Sequence, residues 1–515
     1  FYFLLHMLTT VALQGVDYPL NDLLQSLPLH HAASAGRIAN VAYLLYTCKA
    51  KPEAQDGTGN TAAHIAYLNG HKTLGTYLMT KYPYLQNTKN SAKKTPDMIK
   101  EAHNEYEDLY EMNVKDSESE ENIEITEQTN ENKLITKLMV SWLQKTKGKG
   151  FKSLVEKNVI DYSKGEAKTL LTLATNFAQS IGDGIARINS TFKGKLVLVG
   201  SAGDKARLYA PDEFDFTWVL DWDDVISEFV EMPIKEQLKN RYKHKILLNS
   251  ETPEIKKLLH KTNLLDEFFD CAQEAIKEII PSLDPRLTLI SPGIKHIGCG
   301  VCLSLAWYGK EYQLLIVNID LVPSIKTRRP NNFPQPLLAE RFIINPHLEP
   351  AYIVQTHIGE GEYRTATTLV EQQIMLDPSL EHQSFVFMIA KLMISKLKSE
   401  KWAPLFFKDR FRYFDSQFFK IPTPSGFMLK SAYFHELENL PNAEDWKGNC
   451  IVNRLRGIFK AMCRKTEDTD ILYSGMIHNY FSPTTQPAER GLMAPAILNF
   501  IQDNENELIL KQAAP

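Results

Sequence analysis

The sequence predicts an α+β chain opened by a repeat module. Three observations predict it. An outline recurs near the N-terminus at a period of about 33 residues. Apolar residues take helical spacing from Leu134 onward. Short apolar strands then stand at Lys195–Val199, Pro211–Leu220 and Ile316–Pro323. The 515 residues give room for about three folded units. Hydrophobic residues make up 43% and charged residues 23%, which excludes global disorder and collagen-like structure. The net charge of -4 confines any nucleic-acid surface to a local patch. Six scattered cysteines do not form a disulfide framework and point to a reducing compartment, so a cytoplasmic location is expected. The apolar opening Phe1–Leu13 falls short of the roughly 20 residues a membrane span needs, and no membrane association is expected. The first residue is Phe rather than Met, from which a longer chain is expected to precede it.

The repeat comes first. Leu27-Pro28-Leu29-His30-His31-Ala32-Ala33-Ser34-Ala35-Gly36 has its echo in Thr61-Ala62-Ala63-His64-Ile65-Ala66-Tyr67-Leu68-Asn69-Gly70, and Lys94-Thr95-Pro96 opens a third copy in the same register. This outline resembles the ankyrin repeat. The resemblance implies an all-α docking or regulatory module over 1–103. In it the histidines bond into turns, the alanines allow close helix packing and the glycines end helices. A metal or catalytic role for His30 and His64 is not expected. Residues 104–133 follow, rich in Glu, Asp, Ser and Asn with few large apolar residues, and read as a solvated acidic linker.

From Leu134 the apolar positions Leu138, Trp142, Leu170, Leu171, Leu173, Phe177 and Ile181 predict a long helix running up to the strands. Lys195–Val199 is a short strand ending in the turn Gly200-Ser201. Asp212-Glu213-Phe214-Asp215-Phe216-Thr217-Trp218 then alternates with the period of a strand, which puts Glu213 and Asp215 on one face and Phe214, Phe216 and Trp218 on the other. Carboxylates crowded without a paired Arg or Lys repel, and the expected remedy is a divalent cation. Asp320, at the end of the apolar strand Ile316–Leu321, is the third acid. Three acids can hold two ions that activate a hydroxyl and stabilise a leaving pyrophosphate. The Gly200-Ser201 turn can offer N–H groups and a hydroxyl to a triphosphate.

Gly200-Ser201 with Ala210-Pro211-Asp212-Glu213-Phe214-Asp215 resembles the active-site segment of the cyclic GMP-AMP synthase-like receptors and male-abnormal proteins, a nucleotidyltransferase family. Asn318-Ile319-Asp320-Leu321, Tyr363-Arg364-Thr365-Ala366 with Glu371, and Phe427-Met428-Leu429-Lys430-Ser431-Ala432-Tyr433-Phe434-His435 are similar to further stretches of that family. The resemblance implies a bilobed fold: a mixed, twisted sheet with helices as catalytic lobe over 134–330, and a helical C-terminal lobe over 331–515. It implies that Glu213, Asp215 and Asp320 bind Mg²⁺ or Mn²⁺ and carry catalysis. Gly200 and Ser201 would hold the triphosphate, Arg364 would meet the base or phosphate, and Phe427 would stack a base. Lys430 and Lys391 are further phosphate candidates. Between Glu371 and Lys391 the chain has His382 and no Cys, so the zinc site of the DNA-sensing relatives is not expected. Cys299-Gly300-Val301-Cys302 lacks a second ligand pair and reads as packed strand.

Two stretches are locally basic: Lys145, Lys147, Lys149, Lys152 and Lys157, then Lys235, Lys239, Arg241, Lys243 and Lys245. In receptors of that family the surface beside the long helix binds nucleic acid. The expected activator is therefore a double-stranded nucleic acid, RNA before DNA, read by shape. The function expected is a metal-dependent nucleotidyltransferase of innate immunity that joins ATP, GTP or other NTPs into a cyclic dinucleotide. The alternatives are a catalytically inactive male-abnormal-type scaffold that binds partners through the ankyrin module, and a linear-oligonucleotide polymerase.

Overall fold

The computed structural model describes residues 23–111, 140, 150–222, 226–233, 244–260, 263–327, 351–356, 362–366, 368–396, 426–448, 450–462, 497–506 and 508–509. Helices α1 (Pro28–Ser34), α2 (Ile38–Tyr46), α3 (Ala62–Leu68) and α4 (Lys72–Lys81) form two antiparallel pairs, followed by α5 (Pro96–Glu111). Ala33, Ala63 and Ala66 are fully enclosed, and their small side chains let α1 and α3 lie close together. His30 accepts the Leu27 amide through Nδ1 and meets the Ala54 carbonyl with Nε2 at 2.9 Å. His64 does the same for the Thr61 amide and the Lys94 carbonyl, both at 3.1 Å. Each histidine thus ties its own helix start to the turn of the next repeat, the structural role the repeat pattern predicts. Helix α5 runs on to Glu111, past the linker boundary expected at 103, because Glu101, Ala102, Glu105 and Leu109 are good helix formers.

The single long helix expected from Leu134 is interrupted. Helix α6 (Phe151–Asn158) stops, and α7 (Gly165–Ile188) starts afresh after a turn in which Asp161 Oδ1 accepts from the Ser163 amide and hydroxyl. The reason for the break is pairing. Val159 bridges Leu208 and the Ile160 amide donates to the Arg207 carbonyl, so this stretch is extended.

Nine strands among the described residues make one mixed sheet: β1 (Gly194–Val199), β2 (Glu213–Leu220), β3 (Ile226–Pro233), β4 (His244–Ser250), β5 (Leu287–Ile297), β6 (Gly300–Trp307), β7 (Leu315–Thr327), β8 (Ala351–Thr356) and β9 (Glu362–Ala366). Their order is β1-β2-β7-β8-β9-β4-β3, with the β5–β6 hairpin joined through β6 to β7. Only β2 and β7 pair in parallel. Along one edge β7 pairs first with β6 and then with β8, which lets one strand connect the hairpin to the rest of the sheet.

After β1 comes the one-turn helix α8 (Gly200–Gly203), and later α9 (Pro253–Leu258) and α10 (Asn263–Ile279). Helices α7 and α10 cover one face of the sheet, where Phe177, Ile181, Ile185 and Phe268 bury against Phe214, Phe216 and Trp218. Each fully buried aromatic of this kind contributes about 1.5–3 kcal/mol. A second core is helical, built from α11 (Thr368–Leu376), α12 (Glu381–Lys396), α13 (Gly426–Asn439) and α14 (Cys450–Met462) together with α6. Tyr433 is its aromatic centre, 5.2 Å from Phe387 and 5.8 Å from Trp446 between ring centroids. The third core belongs to the repeats but also takes in Ile290 and Ala306 from the sheet and Leu314 from the bend before β7. Among the described residues no helix is long and apolar enough to cross a membrane.

Candidate active site

The site begins with the alternation of β2. Phe214, Phe216 and Trp218 are fully buried on one face, so Glu213 and Asp215 stand half-buried on the other. Two neighbouring strands complete the arrangement. In the antiparallel register Asp215 lies opposite Val199, the last residue of β1, and in the parallel register it lies opposite Asp320 on β7. The Gly-Ser turn and the third acid therefore flank the same carboxylate, although Gly200 and Asp320 are far apart in sequence.

Gly200 has φ +65°, and a Cβ there would fall 1.8 Å from Asp215 Oδ2. Only glycine fits, because the left-handed backbone and the close approach both exclude a side chain. The Asp215 carboxyl is pushed up to about 7, first by burial and then by the charges of Glu213 and Asp320, against the opposing pull of Arg207 and Lys430. Burial also raises Asp320, with a hydrogen bond from the Cys302 thiol in partial compensation. Asp320 Oδ1 is buried and makes no hydrogen bond.

The expectation that the acids lack a basic partner is corrected. Arg207, six residues before Glu213, pairs with it through Nη1. Its Nε donates to Asp212 Oδ1 at 2.9 Å and to the Ala210 carbonyl at 3.3 Å, and Nη2 also meets Asp212. Nη1 lies 3.5 Å from Ser201 Oγ. Its presence in the turn between the Gly-Ser pair and the acids, in Lys205-Ala206-Arg207, was the available signal. With Glu213 turned onto Arg207, no group of three or more His, Cys, Asp or Glu among the described residues is placed to hold a metal ion. The donor chemistry of Asp215 and Asp320 nevertheless fits a hard divalent cation, since two neighbouring carboxylates repel and one buried oxygen is unbonded.

The two lysines of the helical core reach the same loop. Lys430 on α13 is buried and pairs with Asp204 at 2.7 Å and Glu371 at 3.2 Å. Burial opposes its charge, but these two carboxylates outweigh the penalty and raise its pKa. Lys391 on α12 donates to the Ala206 carbonyl at 2.5 Å, and burial, with the Arg207 charge adding to it, lowers its pKa to about 7. Both lysines, expected as phosphate contacts, are engaged in holding residues 204–206. Arg364 stands on β9 opposite Val354, and Phe427 on the first turn of α13. Of the basic candidates Lys152 is exposed on α6, while Lys145, Lys147, Lys149, Lys239, Arg241 and Lys243 lie outside the described residues. Cys299 caps the β5–β6 hairpin and Cys302 is in strand β6. The five cysteines among the described residues form no disulfide with one another.

Residues 29–78 match the family model for ankyrin repeats (many copies). This segment is made of ankyrin repeats. The match agrees with the stacked pairs α1–α2 and α3–α4 and their turn-binding histidines, and it gives the chain a protein-interaction module. No curated protein matches the chain.

Proposed function

We propose that the chain is a metal-dependent nucleotidyltransferase that joins two nucleoside triphosphates into a cyclic dinucleotide. The observation that carries the reading is the junction at Asp215, where the turn Gly200-Ser201 and the acid Asp320 meet one carboxylate in adjacent strands. Such a junction would set a triphosphate held at the Gly200-Ser201 turn beside acids that could orient a ribose hydroxyl. Asp215 and Asp320 would hold Mg²⁺ or Mn²⁺, with Glu213 joining them on leaving Arg207. When bound, the ion lowers the pKa of the attacking hydroxyl and neutralises phosphate charge. Ser201 would position the triphosphate, Phe427 a base, and Arg364 a base or phosphate. A double-stranded nucleic acid, RNA before DNA, is the proposed activator, supported by the basic stretches of the sequence and the exposed Lys152.

One observation favours a second reading. Because Arg207 neutralises Glu213, the acid cluster can persist in a protein that performs no chemistry, which is what a scaffold acting through its ankyrin module requires. The two readings part at the acids. Glu213→Ala with Asp215→Ala should abolish product formation from NTPs, a loss of at least about 100-fold, with an unchanged circular dichroism spectrum. Wild-type-like product from the double variant would remove these acids from any mechanism.

A further inference from the structure

Arg207 divides its donors between two environments. Nε and Nη2 are spent on Asp212, whose side chain is 6% exposed, while Nη1 faces Glu213, whose side chain is 43% exposed. The buried pair is the anchor and the outer pair is the weaker of the two, because water reaches the Glu213 carboxylate and competes for it. The backbone around Arg207 is fixed as well. Ala206 and Leu208 bury in the helical core, Ala202 and Ala210 in the sheet core, and Lys391 holds the Ala206 carbonyl. The guanidinium is therefore presented at the seam of two cores with its Nη1 edge turned toward the more exposed carboxylate. That edge lies between Glu213 and Ser201 Oγ, 3.5 Å from the hydroxyl.

We infer that Arg207 is a polyphosphate-binding residue for the nucleoside triphosphate, held by Glu213 until a divalent cation takes that carboxylate. The inference rests on the nucleotidyltransferase reading and adds to it a residue that the motif comparison did not single out. The charges support it. Glu213 cannot serve the guanidinium and a cation at full strength together, so Arg207 and the metal compete for it. Once Glu213 faces the metal, Nη1 is left as a rigid donor beside the Ser201 hydroxyl, and a phosphate oxygen is the partner that suits a guanidinium there. Arg207 thus acts on metal and triphosphate in opposite senses, competing with the first for Glu213 and binding the second, and loss of the side chain separates the two effects.

The test measures two ligands on the full chain. Mn²⁺ alone is titrated by electron paramagnetic resonance, and a non-hydrolysable ATP analogue is titrated by calorimetry at saturating Mn²⁺, for wild type and Arg207→Gln. The variant should bind Mn²⁺ more tightly than wild type and the analogue about tenfold or more weakly. Both affinities unchanged, or both reduced together, would overturn the inference and leave Arg207 a purely structural ion-pair partner. Should Arg207→Gln fail to fold because Asp212 is left buried and unpaired, Arg207→Gln with Asp212→Asn carries the same expectation. Wild type that binds neither ligand sinks the nucleotidyltransferase reading and this inference with it. Wild type that binds both, alongside a variant that binds the analogue equally well, sinks this inference alone.

Discussion

Asp215 shows how much of the site a single residue holds. Its carboxyl is raised to about 7 in the folded chain against an ordinary value near 3.8, so the folded state binds a proton that the unfolded chain has released between those values. The stability associated with it is fully present below about pH 4 and lost as pH rises through about 7. Asp215→Asn keeps the shape and removes the charge, so it should raise the melting temperature measured in EDTA. The gain should be largest above pH 7 and shrink toward pH 4; a gain independent of pH would show that the crowding of the acids is not its source. A variant more stable yet unable to take up a cation is the usual signature of a functional group kept against stability. The alternation that exposes Glu213 and Asp215 was legible because strand period is local. Arg207 was not legible as their partner, because its donors are aimed by a loop whose path depends on Ala206 and Leu208 burying in a different core. Lys430 and Lys391 were found as residues near the site but not as the holders of residues 204–206, for the same reason.

Among the elements, α7 decides where β2 lies. A Cβ on Gly182 would come within 2.2 Å of the Trp218 ring, and the Trp218 indole is also fixed by a 2.8 Å hydrogen bond to the Phe192 carbonyl. Helix and strand are therefore in contact at closest approach, and Trp218 cannot swing away without losing its bond. Gly182→Ala should cost about 1–3 kcal/mol despite the better helix propensity of alanine, a loss readable in chemical denaturation. Unchanged or increased stability would mean that α7 can move off the sheet. The amphipathic spacing of α7 was plain in the sequence. The break before it was less so: Gly165, at φ +59°, stands at the start of α7, but the extended stretch before it comes from a long-range pairing of Val159 and Ile160 with residues 207–208.

Over the whole molecule, the ankyrin repeats are seated on the sheet they precede. Ser34 Oγ donates to the Ser291 carbonyl at 2.8 Å, Ser26 Oγ lies 3.1 Å from Ser291 Oγ, and Ile290 is buried with the repeat core. One consequence is that the inner helices α1 and α3 face strand β5, so a partner protein meets the remaining surface of the module. Ile290→Asp would place an unpaired carboxylate in that seam and should cost about 3 kcal/mol or more, visible as a lowered melting temperature. A thermally silent substitution would mean that repeats and sheet are not joined through this residue. The repeats were readable because their helices, turns and histidines lie within one period. Their seat on β5 was not, because it joins residues more than 200 positions apart whose apolar character serves either surface.

The central claim is that the junction of Gly200-Ser201, Asp215 and Asp320 makes cyclic dinucleotides. The most direct measurement is incubation of the protein with all four NTPs and Mg²⁺ or Mn²⁺, with and without double-stranded RNA or DNA, followed by phosphatase treatment and mass spectrometry. The account predicts a phosphatase-resistant dinucleotide whose appearance depends on the metal. A folded protein that binds the metal and yields no such product under any of these conditions would contradict it.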